Sequence, residues 1–232
     1  IYGGCGPDYV DDEVNDAFAN FCEHHEEMYQ DRIAQGCTGS DLLTIWINAE
    51  INGEKLDESQ LLFEHALLNV GGAETTRNAI AGGLYELAKD PKQYDALHED
   101  PSLIPNAVEE IIRFVCPFVN MYRTATRDYE LHGKVIKEGQ QVGLTYPAAN
   151  RDPRKFNEPH KFNIFRDFSK EARHLAFRLG PHFCLGASLA RMEVRLSLEE
   201  MTQRVKAIHP IEGRDPVPVL SSFVRGLESF PA

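Results

Sequence analysis

The chain has 232 residues, with 24 Lys and Arg against 36 Asp and Glu, giving a formal net charge of −12. Hydrophobic residues make up 42% and charged residues 26%, the composition of an ordinary globular protein with a sizeable core. The acidic balance offers no basic stripe to neutralise phosphates, so a nucleic-acid partner is not expected, and no apolar run approaches the roughly 20 residues of a membrane span. Residues 10–35 lack Pro and Gly and carry apolar residues at helical spacing, so a long surface helix is expected, ended by Gly36 and Gly39. A short helix is expected over 40–50, then a turn and a cap at 52–60. From Glu58 to Asp90 runs the longest helical pattern, apolar around much of its circumference, which predicts a buried central helix. Pro91 opens a short helix, and Pro101 and Pro105 precede another that Pro117 stops. Residues 118–148 alternate Thr, Tyr and Val with polar residues and read as short strands turning at Gly133 and Gly139. After an irregular stretch at 149–183, a last helix is expected to begin near Cys184, followed by a Pro-rich tail with weak strand signals. With no repeat and no composition break, one mainly α domain with small β-sheets is expected over 1–232.

Five cysteines, Cys5, Cys22, Cys37, Cys116 and Cys184, are odd in number and widely spaced without a CxxC pair. They make neither a disulfide framework nor a zinc site, which points to a reducing, cytoplasmic setting. The opening residues are polar and acidic, unlike a secretory leader, and Ile1 in place of Met suggests the remnant of a longer chain. His24, His25, His65, His98, His160 and His209 show no metal-ligand spacing and read as surface or packing residues.

Cys184 stands apart because its Gly- and Pro-bearing loop, AFRLGPHFCLGASLAR, runs straight into a helix. A helix N-terminus favours negative charge and therefore a thiolate. Gly180 and Gly186 let backbone approach a large flat ligand, and Phe177 supplies a wall. A lone cysteine before a helix is otherwise a packing residue. The spacing Phe177-x-x-Gly180-x-x-x-Cys184-x-Gly186 resembles the haem-binding loop of the cytochrome P-450 family. Further matches follow the family's order: GGAETT from Gly71 to Thr76, Glu110-Ile-Ile-Arg113, ANRDP at 149–153, and FNEPHKFNIFR ending in Arg166.

The resemblance implies a haem-thiolate monooxygenase that inserts one atom of dioxygen into an organic substrate, with haem b held by Cys184 as axial ligand. It implies an acid–alcohol pair at Glu74 and Thr75 for proton delivery, with Gly71 and Gly72 leaving room for dioxygen. Phe177, Gly180 and Gly186 shape the cofactor loop, and Arg123 and His182 match positions that bind the haem carboxylates. Glu110, Arg113 and Arg166 match a buried structural cluster. Substrate contacts fall by analogy on Leu67 and Leu68, on Pro117, Phe118, Val119, Asn120 and Met121, and on Ser222, Phe223 and Val224. These largely apolar groups suit a sterol, terpenoid or fatty-acid-like molecule. No flavin or nicotinamide fingerprint occurs, so electrons are expected from a separate ferredoxin-type donor with its reductase.

Two departures stand out. Arg178 follows Phe177 where the family prefers a small residue, usually Gly, and a long cation there could tune the iron, contact a haem carboxylate or crowd the cofactor. The chain also covers little more than half the family's usual length and lacks its N-terminal helices, so exposed apolar surface is expected. The rival readings are a non-catalytic haem-binding or haem-free remnant, and a thiol enzyme pairing Cys184 with His182. The thiol enzyme is disfavoured because no third group orients the pair.

Overall fold

In the computed structural model, which describes residues 12–219, 221 and 223–232, the Pro- and Gly-free opening stretch forms helix α1 (Asp12–Ala34). Helix α2 (Leu42–Asn48) follows, its first turn capped by Asp41, which accepts a 3.1 Å hydrogen bond from the Thr44 N–H. Where the sequence suggested only a turn and a cap, strands β1 (Glu50–Ile51) and β2 (Glu54–Lys55) pair antiparallel. Asn52 and Gly53 connect them at φ +57° and +85°, the Asn-Gly turn whose twist matches a tight hairpin. The long helical pattern becomes one helix, α3 (Glu58–Lys89).

The chain divides into two compact units, one ending at Glu74 and the other spanning Thr75–Ala232. Their junction falls inside α3, so no linker composition marks it in the sequence. In the first unit Leu43, Ile47 and Leu61 form the core, with Met28, Tyr29 and Trp46 packed around them. The central helix is not buried along its whole length as expected: Phe63 and Leu67 are 68% and 67% exposed. Apolar residues encircle α3, and among the described residues of the first unit Leu61 is the one position of this helix that packing buries.

The second unit continues with α4 (Pro91–Glu99) and α5 (Ile104–Val115). Four short strands come next: β3 (Asn120–Thr124), β4 (Tyr129–Leu131), β5 (Lys134–Ile136) and β6 (Gln141–Thr145). β3 pairs with β6 and β4 with β5, both antiparallel. After the one-turn helix α6 (Tyr146–Ala149) and the irregular stretch, α7 (Ala187–Arg204) packs against α4 and α5. β7 (Val217–Pro218) and β8 (Leu227–Ser229) close the chain as an antiparallel pair. The core gathers Leu87, Leu97, Ile111, Ile164 and Val194, all buried. Two glycines of α3 make this packing possible: a Cβ on Gly82 or Gly83 would come within 2.7 Å of Val115 or Ile111 side-chain atoms.

The irregular stretch is held by charge rather than by secondary structure. Glu110, fully buried on α5, takes Arg113 Nε at 2.7 Å and Nη2 at 2.8 Å on its two oxygens. It also accepts from Arg166 Nε at 3.0 Å and from the Asn163 N–H at 2.8 Å. Arg113 donates onward to the carbonyls of Asn150 and Pro159, while Arg166 donates to those of Asn157, Glu158 and Lys161 and pairs with Glu171. Two arginines and two carboxylates therefore neutralise one another and tie down backbone carbonyls that no helix or sheet satisfies. Replacing Glu110 with Ala leaves two buried guanidiniums without their central acceptor. A loss of about 3–5 kcal/mol is expected, read by urea unfolding followed by circular dichroism.

Candidate haem-thiolate site

Cys184 lies three residues before the first helical residue of α7, with Gly186 as N-cap, so the last helix starts later than the sequence pattern implied. The loop between Phe177 and Cys184 is closed on itself. The Cys184 N–H donates to the Phe177 carbonyl at 3.0 Å, and the Phe183 N–H donates to that of Gly180, also at 3.0 Å. Gly180 has φ +73°, which lets the chain turn there, and a Cβ on Gly180 or Gly186 would meet nothing within 4 Å. The half-buried Cys184 is thus rimmed by open backbone and by the exposed apolar side chains of Leu179, Phe183 and Leu185.

Phe177 is fixed from behind by residues the sequence motifs did not single out. The Arg191 guanidinium lies 4.6 Å above its ring, and the His174 ring lies 5.8 Å away. Both are gripped by Glu109, which receives Arg191 Nε at 2.5 Å and faces His174 Nε2 at 3.0 Å. Burial pushes the Glu109 carboxyl up, but the hydrogen bonds from His174 and Arg191 outweigh it and hold the group at about 2. Glu109 and Glu110 are neighbours on α5, about 100° apart around the helix, so one carboxylate serves the Cys184 loop and the other the irregular stretch. The adjacent acidic pair was the available signal, but only the i, i+3 relation of Glu110 to Arg113 was visible as a motif.

Asn150, within ANRDP, links these parts. Its Oδ1 accepts from the Leu175 N–H at 2.6 Å, while its Nδ2 donates to the Arg113 carbonyl and to Cys116 Sγ. Burial pushes the Cys116 thiol up to about 12, leaving a neutral packing residue. Cys22 and Cys37 are half-buried free thiols, and Cys5 lies outside the described residues.

The remaining candidates fall into separate groups. In the first unit Leu67, Gly71 and Glu74 lie at successive i+4 and i+3 steps of α3, hence on one face, with Leu68 beside them. Thr75, the next residue, opens the second unit; Glu74 and Thr75 are half-buried, and Gly71 and Gly72 have open space where a Cβ would stand. In the second unit two expected substrate segments meet. The Val119 N–H donates to the Phe223 carbonyl at 3.1 Å, and the Phe118 and Phe223 rings stack edge-on at 4.6 Å. Pro117 and Val224 are buried, whereas Phe118, Val119, Asn120, Met121 and Phe223 are half-buried; Ser222 lies outside the described residues. Arg123 sits on β3 opposite Val142 and donates to the Tyr122 carbonyl at 2.8 Å, and His182 is exposed in the turn before Cys184. Among the described residues neither pairs with an acidic side chain.

In the first unit the His25 and His65 Nδ1 atoms lie 3.0 Å apart as a packed pair beside a groove lined by Cys22, Glu26 and Glu58. Among the described residues no three His, Cys, Asp or Glu side chains form a metal cluster, and no helix is long and apolar enough to cross a membrane.

The family model for cytochrome P450 matches residues 8–227. The chain belongs to the cytochrome P450 family. It is 39% identical over 192 residues to the steroid C26-monooxygenase of Mycobacterium tuberculosis, covering 82% of this chain and 48% of that one. It is 40% identical over 193 residues to the methyl-branched lipid omega-hydroxylase of Mycobacterium bovis, covering 82% of this chain and 44% of the relative. The crystal structure of CYP109E1 from Bacillus megaterium in complex with testosterone superposes with a TM-score of 0.81 at 30% identity, over 94% of this chain and 58% of that one. This P450 chain spans about half the length of the curated relatives it matches.

P450 proteins bind haem through an axial cysteine thiolate. The residues of this P450 fit that group. A soft sulfur ligand is presented at the mouth of a closed loop, an apolar rim surrounds it, and the backbone is bare at Gly180 and Gly186. Arg123 and His182 are free to receive carboxylates. Because Glu109 titrates at about 2 in the folded chain against an ordinary 4.5, its contribution to stability is complete above the ordinary value and is lost as the pH falls toward 2. Glu109→Gln should therefore unfold more easily than the parent near neutrality, with the difference shrinking as the solution is acidified. Urea midpoints of both proteins across that range check this.

Proposed function

We propose that the protein is a haem-thiolate monooxygenase that inserts one atom of dioxygen into a lipophilic organic substrate, with Cys184 as the axial ligand. The observation that carries the proposal is the Cys184 loop, closed by its own amides and braced through Phe177 by Arg191, His174 and Glu109. Haem held there supplies the electron-rich iron chemistry that cleaves dioxygen. The chain's part is to present the Cys184 sulfur as a thiolate, to keep the loop from moving, and to offer apolar surface to the flat cofactor. Arg123 and His182 donate to the cofactor carboxylates, Arg through its planar fork.

Glu74 and Thr75 are the proton-handling pair. With haem in place, the Thr75 hydroxyl would be the proton donor nearest the chemistry, and Glu74 would relay protons from solvent along the helix face where Gly71 and Gly72 carry no side chain. Substrate contact is assigned to Leu67 and Leu68 in the first unit and, in the second, to Phe118, Val119, Asn120 and Phe223, with Pro117 and Val224 buried beside them. Their apolar character, and relatives named for steroid and methyl-branched lipid oxidation, support a sterol, terpenoid or fatty-acid-like substrate. A ferredoxin-type donor with its reductase supplies the electrons.

Replacing Cys184 with Ser is expected to abolish the thiolate-type reduced carbon-monoxide spectrum, while Cys22→Ala and Cys37→Ala retain it. A Cys184→Ser protein that keeps the spectrum overturns the assignment. Thr75→Ala is expected to hold haem normally yet divert reducing equivalents to peroxide, lowering the product formed per electron pair severalfold. Coupling equal to the parent would remove Thr75 from the proton path.

A further inference from the structure

Arg178 carries a backbone conformation that its side chain makes costly. It sits at φ +64°, a left-handed geometry that glycine adopts freely, where its N–H closes a 2.9 Å turn onto the Leu175 carbonyl. Its guanidinium carbon lies 5.7 Å from the Phe118 ring centroid and 5.6 Å from that of Tyr146, so the cation rests against two aromatic rings. Phe118 is in turn buttressed edge-on by Phe223. Among the described residues no acidic side chain pairs with Arg178. Tyr146 is only 6% exposed, and its hydroxyl has no hydrogen-bond partner among the described residues. A buried phenol donor and a cation that lies over the same ring both favour an anionic acceptor.

We propose that Arg178 and Tyr146 form a seat for a carboxylate on an otherwise apolar ligand. Such a group accepts from the guanidinium and from the phenolic O–H together, and both bonds to an ionised acceptor are of the strong, charge-assisted kind. One cation and one hydroxyl on an aromatic floor match a singly charged planar carboxylate better than a doubly charged phosphate. Two ligands bring that chemistry: the cofactor, through one of its two propionates shared with Arg123 or His182, and a lipophilic substrate ending in a carboxylic acid. The cofactor source rests on the haem reading above; the seat itself does not.

The test titrates the full chain, in haem-free form, with metal-free protoporphyrin IX and its dimethyl ester, and with palmitate and methyl palmitate. Metal-free porphyrin gains nothing from the Cys184 thiol, so the same titration of Cys184→Ser separates this proposal from the ligand assignment. If the seat serves the cofactor, protoporphyrin binds at least about tenfold more tightly than its dimethyl ester, and the preference falls severalfold in Arg178→Gln, with Arg123 and His182 keeping the remainder, and weakens in Tyr146→Phe. If it serves a substrate, the same pattern appears with palmitate against its ester. Arg178→Lys should keep part of the preference. Arg178→Gly, which relieves the left-handed backbone, should lower the preference as far as Arg178→Gln does without losing stability, which excludes misfolding as the cause. No carboxylate preference in the parent chain, or one that Arg178→Gln leaves intact, overturns the proposal.

Discussion

Glu110 is a carboxylate from which water is wholly excluded, and it is tolerable only because two guanidiniums and a backbone N–H converge on it. The irregular stretch between α6 and α7 depends on that convergence. It has almost no regular hydrogen bonding, so its carbonyls are satisfied by Arg113 and Arg166 instead. Such a network is costly to break and specific in shape, since each guanidinium is held by several acceptors at once. It fixes where the chain stands as it approaches Leu175, and from there Asn150 and Glu109 carry the same precision into the loop that presents Cys184.

Cys116 and Cys184 show how environment divides one residue type between two fates. Cys116 ends α5 at φ +43°, is fully buried, and receives a hydrogen bond from Asn150; burial keeps its proton on. Cys184 is half-buried at a loop mouth with apolar neighbours facing outward and bare glycines on both sides. A thiol that must serve as a ligand needs an open side, and a thiol that fills a core needs none.

The neighbouring acids Glu109 and Glu110 divide the labour of holding the site. Glu110 satisfies the inner stretch, and Glu109 clamps Arg191 of α7 together with His174, both of which rest against Phe177. The loop is thus referenced to both α5 and α7, the two helices that share the core. Preorganisation of this kind keeps a ligand atom within the narrow tolerance that metal coordination demands.

The sequence by itself determined the element types, because periodicity and the Pro and Gly punctuation are local: α3, α5 and the strands at 120–145 lie where the pattern placed them. It also determined the family, since the Cys184 loop, GGAETT and Glu110-Ile-Ile-Arg113 are short motifs whose order survives in a linear reading. The exposed side of α3 was not legible, because an apolar residue looks the same whether or not packing covers it. Nor was the β1–β2 hairpin, whose strands are too short to show alternation although Asn52-Gly53 marks the turn. Only tertiary structure decided that Glu109 joins His174 and Arg191, 65 and 82 residues away, and that Arg178 lies against Phe118 and Tyr146. Those contacts depend on the direction each side chain takes from its backbone, which no spacing along the chain records.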